Sequence, residues 1–451
     1  MNGGEHLPCS PRTSECRLYR RKGTTIMDFK LAFLVKLPVL PGSSLAGAPR
    51  SARSLGLCLT TRSGDVAYAA EKPVLLAGRN GGVQLRVPLG LGAWSFGDRF
   101  YWGSSSEEDN TDAVRESLRN GVTLIDTAEV YGTPPGRSEQ LVGRIGRQVT
   151  EEVLANAGPD SPLPEINVAT KYAPFPWRTA GLSLNLLGWL SRPQRRETVR
   201  RSVLGALRAS MRRLGLENID LYQQHWPAFV GENDEPIWDA LAEAYHEGLI
   251  RCVGVSNFSP SRLLKCDTYL RQVHEVPLAS NQVQWSLLHR DPETVRCLGA
   301  TDDRTLCEIC ADRGIQILAY SPLAQGLLTG RYRKGRLPSG VRKRLAASLV
   351  ERVDVLLSEM ERIAAKRQVS LAAVALNYVI TAGEMRAAGE KPTIAIPIPG
   401  AKNAWQAQQN AQALGWRLDL DEMTKLRRAA DQVDAKLPSI PLARESNRRG
   451  L

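Results

Sequence analysis

The chain is 451 residues long, 43% hydrophobic and 24% charged, with a formal net charge of +12. That is enough apolar sequence for a large core, and eight cysteines are too few for a disulfide scaffold. A nucleic-acid partner is not expected either, because the charge is local: residues 1–80 hold twelve Lys/Arg against five Asp/Glu, residues 327–345 hold seven Lys/Arg and no acid, and the remainder is close to neutral.

The first element in chain order is a leader, residues 1–72, rich in Ser, Thr and Arg and poor in acids. Residues 43–64 contain no Asp or Glu but include Arg50, Arg53 and Arg62, a transit-peptide composition that points to a plastid before a mitochondrion. A secretory signal starting near Met27 is the rival, since a short apolar core precedes Ala46-Gly47-Ala48, although Lys30 and Lys36 interrupt it. A tail without an address, leaving the protein in the cytoplasm, is the third reading. No uninterrupted 18-residue apolar run exists, so no integral membrane segment is expected.

The body is expected over residues 73–440, with a tail at 441–451. It opens with two apolar runs, Val74–Ala77 and Val83–Val87, flanking Asn80-Gly81-Gly82, a hairpin signal. Eight strand candidates follow: Leu89–Ala93, Thr123–Asp126, Asn167–Thr170, Asp220–Gln224, Cys252–Ser256, Ala279–Gln284, Gln316–Tyr320 and Thr393–Ile396. Between them lie helix candidates Glu107–Arg119, Arg137–Arg147, Thr198–Leu214, Pro236–Glu247, Pro260–Arg271, Thr305–Arg313 and Leu371–Thr381. Ser259-Pro260 is an N-cap with Pro at the first helical position, and Gly215 and Gly314 fall where a left-handed C-cap wants glycine. Eight β-α alternations after a hairpin define an α/β fold, a (β/α)8 TIM barrel with an N-terminal hairpin cap; a doubly wound open sheet is the alternative. Cys307-Glu308-Ile309-Cys310 reads as ordinary helix packing, and no second C-x-x-C completes a zinc site.

A barrel places its chemistry at the C-terminal ends of the strands. Asp126 and Tyr131 follow the second strand, Lys171 the third and His225 the fourth. Together they suit hydride transfer coupled to proton transfer. A carbonyl that accepts hydride needs a proton on its oxygen, which Tyr131 can give. An adjacent Lys171 ammonium is expected to lower the Tyr131 pKa, Asp126 to hold that ammonium, and His225 to orient the substrate oxygen. One His and one Asp are too few for a closed metal site, so no metal is expected.

These residues sit in fragments that resemble the aldo-keto reductases: Ile125-Asp126-Thr127-Ala128, Tyr131-Gly132, Ser138-Glu139, Thr170-Lys171, Gln224-His225-Trp226-Pro227, Gly254-Val255-Ser256-Asn257-Phe258, Asn281-Gln282-Val283 and Tyr320-Ser321-Pro322-Leu323. The matches keep chain order from about Leu89 to Asn410. They look like the channel-β-subunit and bacterial-oxidoreductase branch. The resemblance implies a catalytic tetrad of Asp126, Tyr131, Lys171 and His225, with Tyr131 as general acid, and NADP(H) as cofactor. It implies that Ser256, Asn257 and Gln282 meet the nicotinamide carboxamide and that Tyr320 stacks on the ring, with Trp94 beside it. Ser321, Pro322, Leu323, Gly326 and Arg331 would border the pyrophosphate. Gly400, Lys402, Gln406, Gln409 and Asn410 would hold the adenosine end, Lys402 at the 2′-phosphate. Gln409 stands where the family often has Glu, which favours phosphate over a free ribose hydroxyl.

No dinucleotide glycine fingerprint supports any other cofactor site: Gly90-Leu91-Gly92-Ala93-Trp94-Ser95 begins like one, but its sixth position is Ser and no helix is expected there. Two connections are longer than the resemblance leads one to expect, Thr150–Glu165 on the bottom face and Tyr172–Arg196 at the mouth. Trp94, Trp177 and Trp226 are the candidates for an apolar substrate pocket. The expected activity is NADPH-dependent reduction of an aldehyde or ketone, a small-molecule carbonyl, to an alcohol. The alternative is a cofactor-sensing regulatory subunit with little turnover. Oligomeric state has no signature in this sequence.

Overall fold

The computed structural model describes residues 71–156, 165–175, 192–228, 233–297, 303–338, 342–347, 349–385 and 395–433. Residues 1–70 of the leader and the C-terminal tail lie outside the described residues, as do Trp177 and most of the connection after the third barrel strand. Glu71, which the sequence assigns to the leader, has its contacts in the body: its carboxylate pairs with Arg417 at 2.6 Å and accepts from the Gly415 amide at 2.7 Å.

The hairpin forms as its sequence predicts. Strands β1 (Val74–Leu76) and β2 (Val83–Leu85) pair antiparallel. Eight parallel strands follow in sequence order around one sheet: β3 (Gly90–Gly92), β4 (Leu124–Asp126), β5 (Asn167–Tyr172), β6 (Ile219–Gln224), β7 (Ile250–Ser256), β8 (Leu278–Gln284), β9 (Gln316–Tyr320) and β10 (Ala395–Pro397). The barrel closes at a seam where the Gly92 amide donates to Pro399 O at 2.9 Å and Gly92 bridges Gly400. Glycine is required at position 92, because a Cβ there would lie 2.8 Å from Ile398 O. The open-sheet alternative is thereby excluded.

One inward residue from each of seven strands, Leu124, Ala169, Leu221, Cys252, Ala279, Leu318 and Ile396, packs with Val74, Leu76, Val83 and Leu85 of the hairpin. The hairpin therefore plugs the N-terminal end of the barrel and leaves the C-terminal end open for chemistry. A larger apolar layer lies between the sheet and the surrounding helices.

The seven predicted helices form at their predicted positions, four of them with longer ends. In chain order the helices are α1 (Glu107–Arg119), α2 (Arg137–Asn156), α3 (Arg192–Leu214), α4 (Glu235–His246), α5 (Pro260–His274), a short α6 (Asp291–Thr294), α7 (Leu306–Arg313), a short α8 (Arg342–Ala347), α9 (Asp354–Arg367), α10 (Leu371–Glu384), α11 (Ala404–Ala411) and α12 (Leu420–Asp431). The connection predicted from Thr150 is corrected: α2 continues through Asn156, because Val149 and Val153 still face the core. The mouth connection likewise ends earlier than Arg196, since α3 begins at Arg192. Cys310 is buried and Cys307 half-buried on α7. Helices α9 and α12 were not among the candidates, although Leu356, Leu357, Met360, Ile363 and Ala364 stand at helical spacing on α9.

Candidate active site

The strand ends bring Asp126, Tyr131, Lys171 and His225 together. Lys171, fully buried, donates from Nζ to Asp126 Oδ2 at 2.6 Å and to Thr127 O at 2.7 Å. Its ammonium also lies over the Tyr131 ring, 4.9 Å from the centroid. Tyr131 Oη is 3.5 Å from His225 Nε2, the outer limit of a hydrogen bond. Asp126 is held from its other side, with Oδ1 accepting from Gln282 Nε2 at 2.8 Å and from Gln223 Nε2 at 3.3 Å. Gln223 was not a candidate in the sequence; its place on β6, in register with Lys171, puts it there.

Burial, reinforced by the Asp126 carboxylate and by Tyr320, pushes the Tyr131 phenol well above its ordinary pKa. The expectation that Lys171 lowers it is therefore corrected. The Lys171 charge is answered by Asp126 at 2.6 Å, and burial lowers the Lys171 pKa as well. Burial, then the Lys171 ammonium, holds His225 well below the ordinary histidine value, so its ring is neutral. His225 stacks on Trp226 at 3.8 Å between ring centroids, and its Nδ1 has no hydrogen-bond partner among the described residues. Among the described residues, no cluster of three or more His, Cys, Asp or Glu side chains could hold a metal ion.

A cleft of about 1380 Å³ opens from this point along the barrel mouth. Asp126, Tyr131, His225 and Trp226 line one end of it, with Trp94, Ser256, Asn257, Gln282 and Tyr320 alongside. Ser321, Pro322, Leu323, Gly326, Arg331, Gly400, Lys402, Gln406, Gln409 and Asn410 line the rest. Lys171 stands behind the wall rather than on it. The amide-bearing side chains form one network: Ser256 Oγ donates to Gln282 O at 2.9 Å, Asn257 Nδ2 to Ser256 Oγ at 3.1 Å, and Tyr320 Oη to Asn257 Oδ1 at 3.0 Å.

The far end of the cleft is positive. The Lys402 pKa is lowered by burial and then by Arg342 and Arg331, with only Asp98 opposing. Of the basic run at 327–345, however, Arg333 and Lys334 face acids instead, at Asp354 and Glu361 for Arg333 and at Glu351 for Lys334. Helix α11 starts beside Lys402, with Asn403 as its N-cap, a polarity that favours an anion. Ser95 Oγ, Trp102 Nε1 and Ser105 Oγ, all on the cleft wall, are buried without hydrogen-bond partners among the described residues. An elongated, polar, anionic molecule with an aromatic end fits this donor set.

The segment after β3 crosses the cleft, which sequence reasoning missed. Tyr101 Oη donates to Gln325 Oε1 at 2.7 Å, Arg342 Nε donates to Tyr101 O at 3.1 Å, and the Arg342 guanidinium lies over the Trp102 ring at 4.8 Å. Lys402 Nζ donates to the Trp102 and Gly103 carbonyls. Trp94 stacks between Tyr101 and Tyr131, with centroids at 5.3 and 5.7 Å. Phe175 is 6.1 Å from Trp226. Trp405, largely exposed, also lines the cleft on α11.

The structure thus gathers a buried Lys–Asp pair, a Tyr and a neutral His at the mouth of a parallel barrel. The model of the Aldo/keto reductase family matches residues 88–431, and the chain belongs to that family. It is 34% identical over 352 residues to a protein named pyridoxal reductase, chloroplastic, from Arabidopsis thaliana, covering 76% of this chain and 83% of the relative. It is 28% identical to the NADH-specific methylglyoxal reductase of Escherichia coli, covering 77% and 95%. Among solved structures, the fold resembles a glycerol dehydrogenase from Gluconobacter oxydans, with a TM-score of 0.58 at 24% identity, covering 82% of this chain and 96% of that one. It also resembles an aldo/keto reductase from Klebsiella pneumoniae in complex with NADP and acetate, with a TM-score of 0.54 at 23% identity, covering 82% and 100%.

Proposed function

We propose that this protein is an NADPH-dependent carbonyl reductase of the plastid that reduces aromatic aldehydes of the pyridoxal type, with Tyr131 as general acid. The observation that carries the reading is the convergence of Tyr131, the Lys171–Asp126 pair at 2.6 Å and a neutral His225 at one end of the cleft.

NADPH bound along the cleft would supply the hydride. Tyr131 holds its proton at Oη through neutral pH, because burial and Asp126 disfavour the phenolate. That proton goes to the carbonyl oxygen as the alkoxide develops. Lys171, over the ring face, steadies the phenolate left behind, and Asp126 keeps the ammonium in place. His225 orients the substrate oxygen from Nε2, facing Tyr131 Oη. Trp226, stacked on His225 through one face, offers its other face to an aromatic aldehyde, and Trp94 lines the cleft beside Tyr131.

The phosphate preference rests on Lys402, Arg331 and Arg342 gathering at the adenosine end. The plastid address is supported by the acid-poor leader and by the chloroplastic name of the Arabidopsis relative. The test is a panel of aldehydes, pyridoxal and benzaldehydes included, with NADPH consumption followed. Turnover is expected, fastest with the aromatic members. No turnover above background with any aldehyde, by a protein that still binds NADPH, would overturn the enzyme reading in favour of a cofactor-sensing subunit.

A further inference from the structure

We propose that Glu139, paired with Arg213, is the positioning residue of the tetrad: a buried carboxylate on α2 that fixes Lys171 in place and keeps it charged. This rests on the carbonyl-reductase reading of the same site.

The geometry begins with the dipeptide Ser138-Glu139 in the first turn of α2, both residues fully buried. Ser138 Oγ donates to Ala93 O at 2.7 Å and shares a hydrogen bond with Thr127 Oγ1 at 2.8 Å. Thr127 follows Asp126, and its carbonyl is the second acceptor of Lys171 Nζ. Glu139 Oε1 accepts from Thr170 Oγ1 at 2.6 Å, and Thr170 precedes Lys171. One dipeptide thus pins the two residues that adjoin Asp126 and Lys171 in the chain, on two neighbouring strands. A substitution that lets either strand slide moves the ammonium away from Tyr131.

The charge on Glu139 calls for its own account. A buried carboxylate is costly unless paired, and a glutamine could accept the same Thr170 hydrogen bond without that cost. Arg213, reaching from α3, answers the carboxylate with Nε at 2.5 Å from Oε2 while staying a quarter exposed. Asp126, by contrast, divides its two oxygens among Lys171, Gln282 and Gln223. The groups around Lys171 are Asp126 from β4, the Tyr131 ring and His225 beyond β6; Glu139 from α2 faces Thr170 and Arg213 and acts on Lys171 itself through its charge alone. Burial pulls the Lys171 pKa down, and Glu139 joins Asp126 in holding it up. Glu139 acts through Lys171 and touches neither substrate nor cofactor.

The experiment compares full-length wild type, Glu139→Gln and Arg213→Met, with two readouts. One is the titration of the Lys171 13Cε resonance in the cofactor-free protein, assigned by its loss in Lys171→Met. The other is the basic limb of kcat against pH for aldehyde reduction. Glu139→Gln is expected to move both midpoints down. Arg213→Met, which leaves the Glu139 charge unopposed, is expected to move both up. A folded Glu139→Gln protein with both midpoints at wild-type values would overturn the proposal, leaving Glu139 a strut. Should Glu139→Gln fail to fold, Arg213→Met decides: an upward movement supports the proposal and an unmoved midpoint overturns it. If wild type shows no turnover at all, the carbonyl-reductase reading fails, and the Lys171 titration still decides whether Glu139 acts on its charge.

Discussion

His225 is kept neutral by burial and by the Lys171 ammonium, well below the ordinary histidine pKa of about 6.5. Its charge should therefore not change across the mildly acidic range, and kcat for reduction should show no inflection near about pH 6.5. Carbon-13 shifts of the His225 ring, followed in the same range, should stay flat; a transition there that vanishes in His225→Asn would contradict the account. The four candidate residues were legible in the sequence because each stands at or just beyond the C-terminal end of a strand, where a barrel exposes its reactive groups. The electrostatics were less legible. Lys171 next to Tyr131 suggested a lowered phenol, and only the burial of both, with Asp126 taking the ammonium, reverses that direction. Tyr101, Trp102 and Arg342 were missed because the loop after β3 and the start of α8 meet across the cleft some 240 residues apart, with no local pattern to mark them.

The elements show the same division between local and long-range information. Helix α5 was readable from its Ser259-Pro260 start and forms with that cap, whereas α7 begins one residue after its predicted start, with Thr305 as the N-cap of a capping box closed by Glu308. Helices α9 and α12 pack on each other outside the strict β-α alternation, so a search guided by alternation passed over them. Their contact is held by Glu422, the third residue of α12, which accepts from Arg367 at 2.7 Å and Lys366 at 2.9 Å. Burial pushes the Glu422 pKa up, but the hydrogen bonds from Arg367 and Lys366 and from the Asp419 amide bring it down to about 2. A carboxylate lowered on folding stabilises above its unfolded pKa of about 4.3 and loses that contribution as pH falls toward its folded value. The melting-temperature gap between wild type and Glu422→Gln should be constant above about pH 5 and close as pH falls toward 2. A gap unchanged down to the lowest pH would show that this ion pair does not couple α9 to α12.

For the whole molecule, the hairpin plug at one end and the cleft at the other give the barrel a single working face. The net charge of +12 divides accordingly: part lies in the acid-poor leader, and part of the basic run at 327–345 turns Arg331, Arg336 and Arg342 to the cleft while Arg333 and Lys334 pair with acids. A ligand that binds only the folded state raises its stability, by about 2.7 kcal/mol at a hundred times its Kd. NADPH should therefore raise the melting temperature more than NADH at equal concentration, and Lys402→Ala should narrow that difference; equal shifts from both cofactors in wild type would contradict a role for the cationic end in reading the 2′-phosphate. The identity of the carbonyl substrate was the least legible property, because the pocket walls come from β3, β6 and the connection after β5, and no local code links those residues.

The most direct test of the account is Tyr131→Phe, assayed in one preparation for aldehyde reduction and for NADPH affinity. Removing the phenolic proton while keeping the ring should cost about 10²–10⁴-fold in kcat and leave NADPH binding unchanged. Reduction at the wild-type rate by Tyr131→Phe would contradict the assignment of Tyr131 as the general acid and, with it, the mechanism proposed for this site.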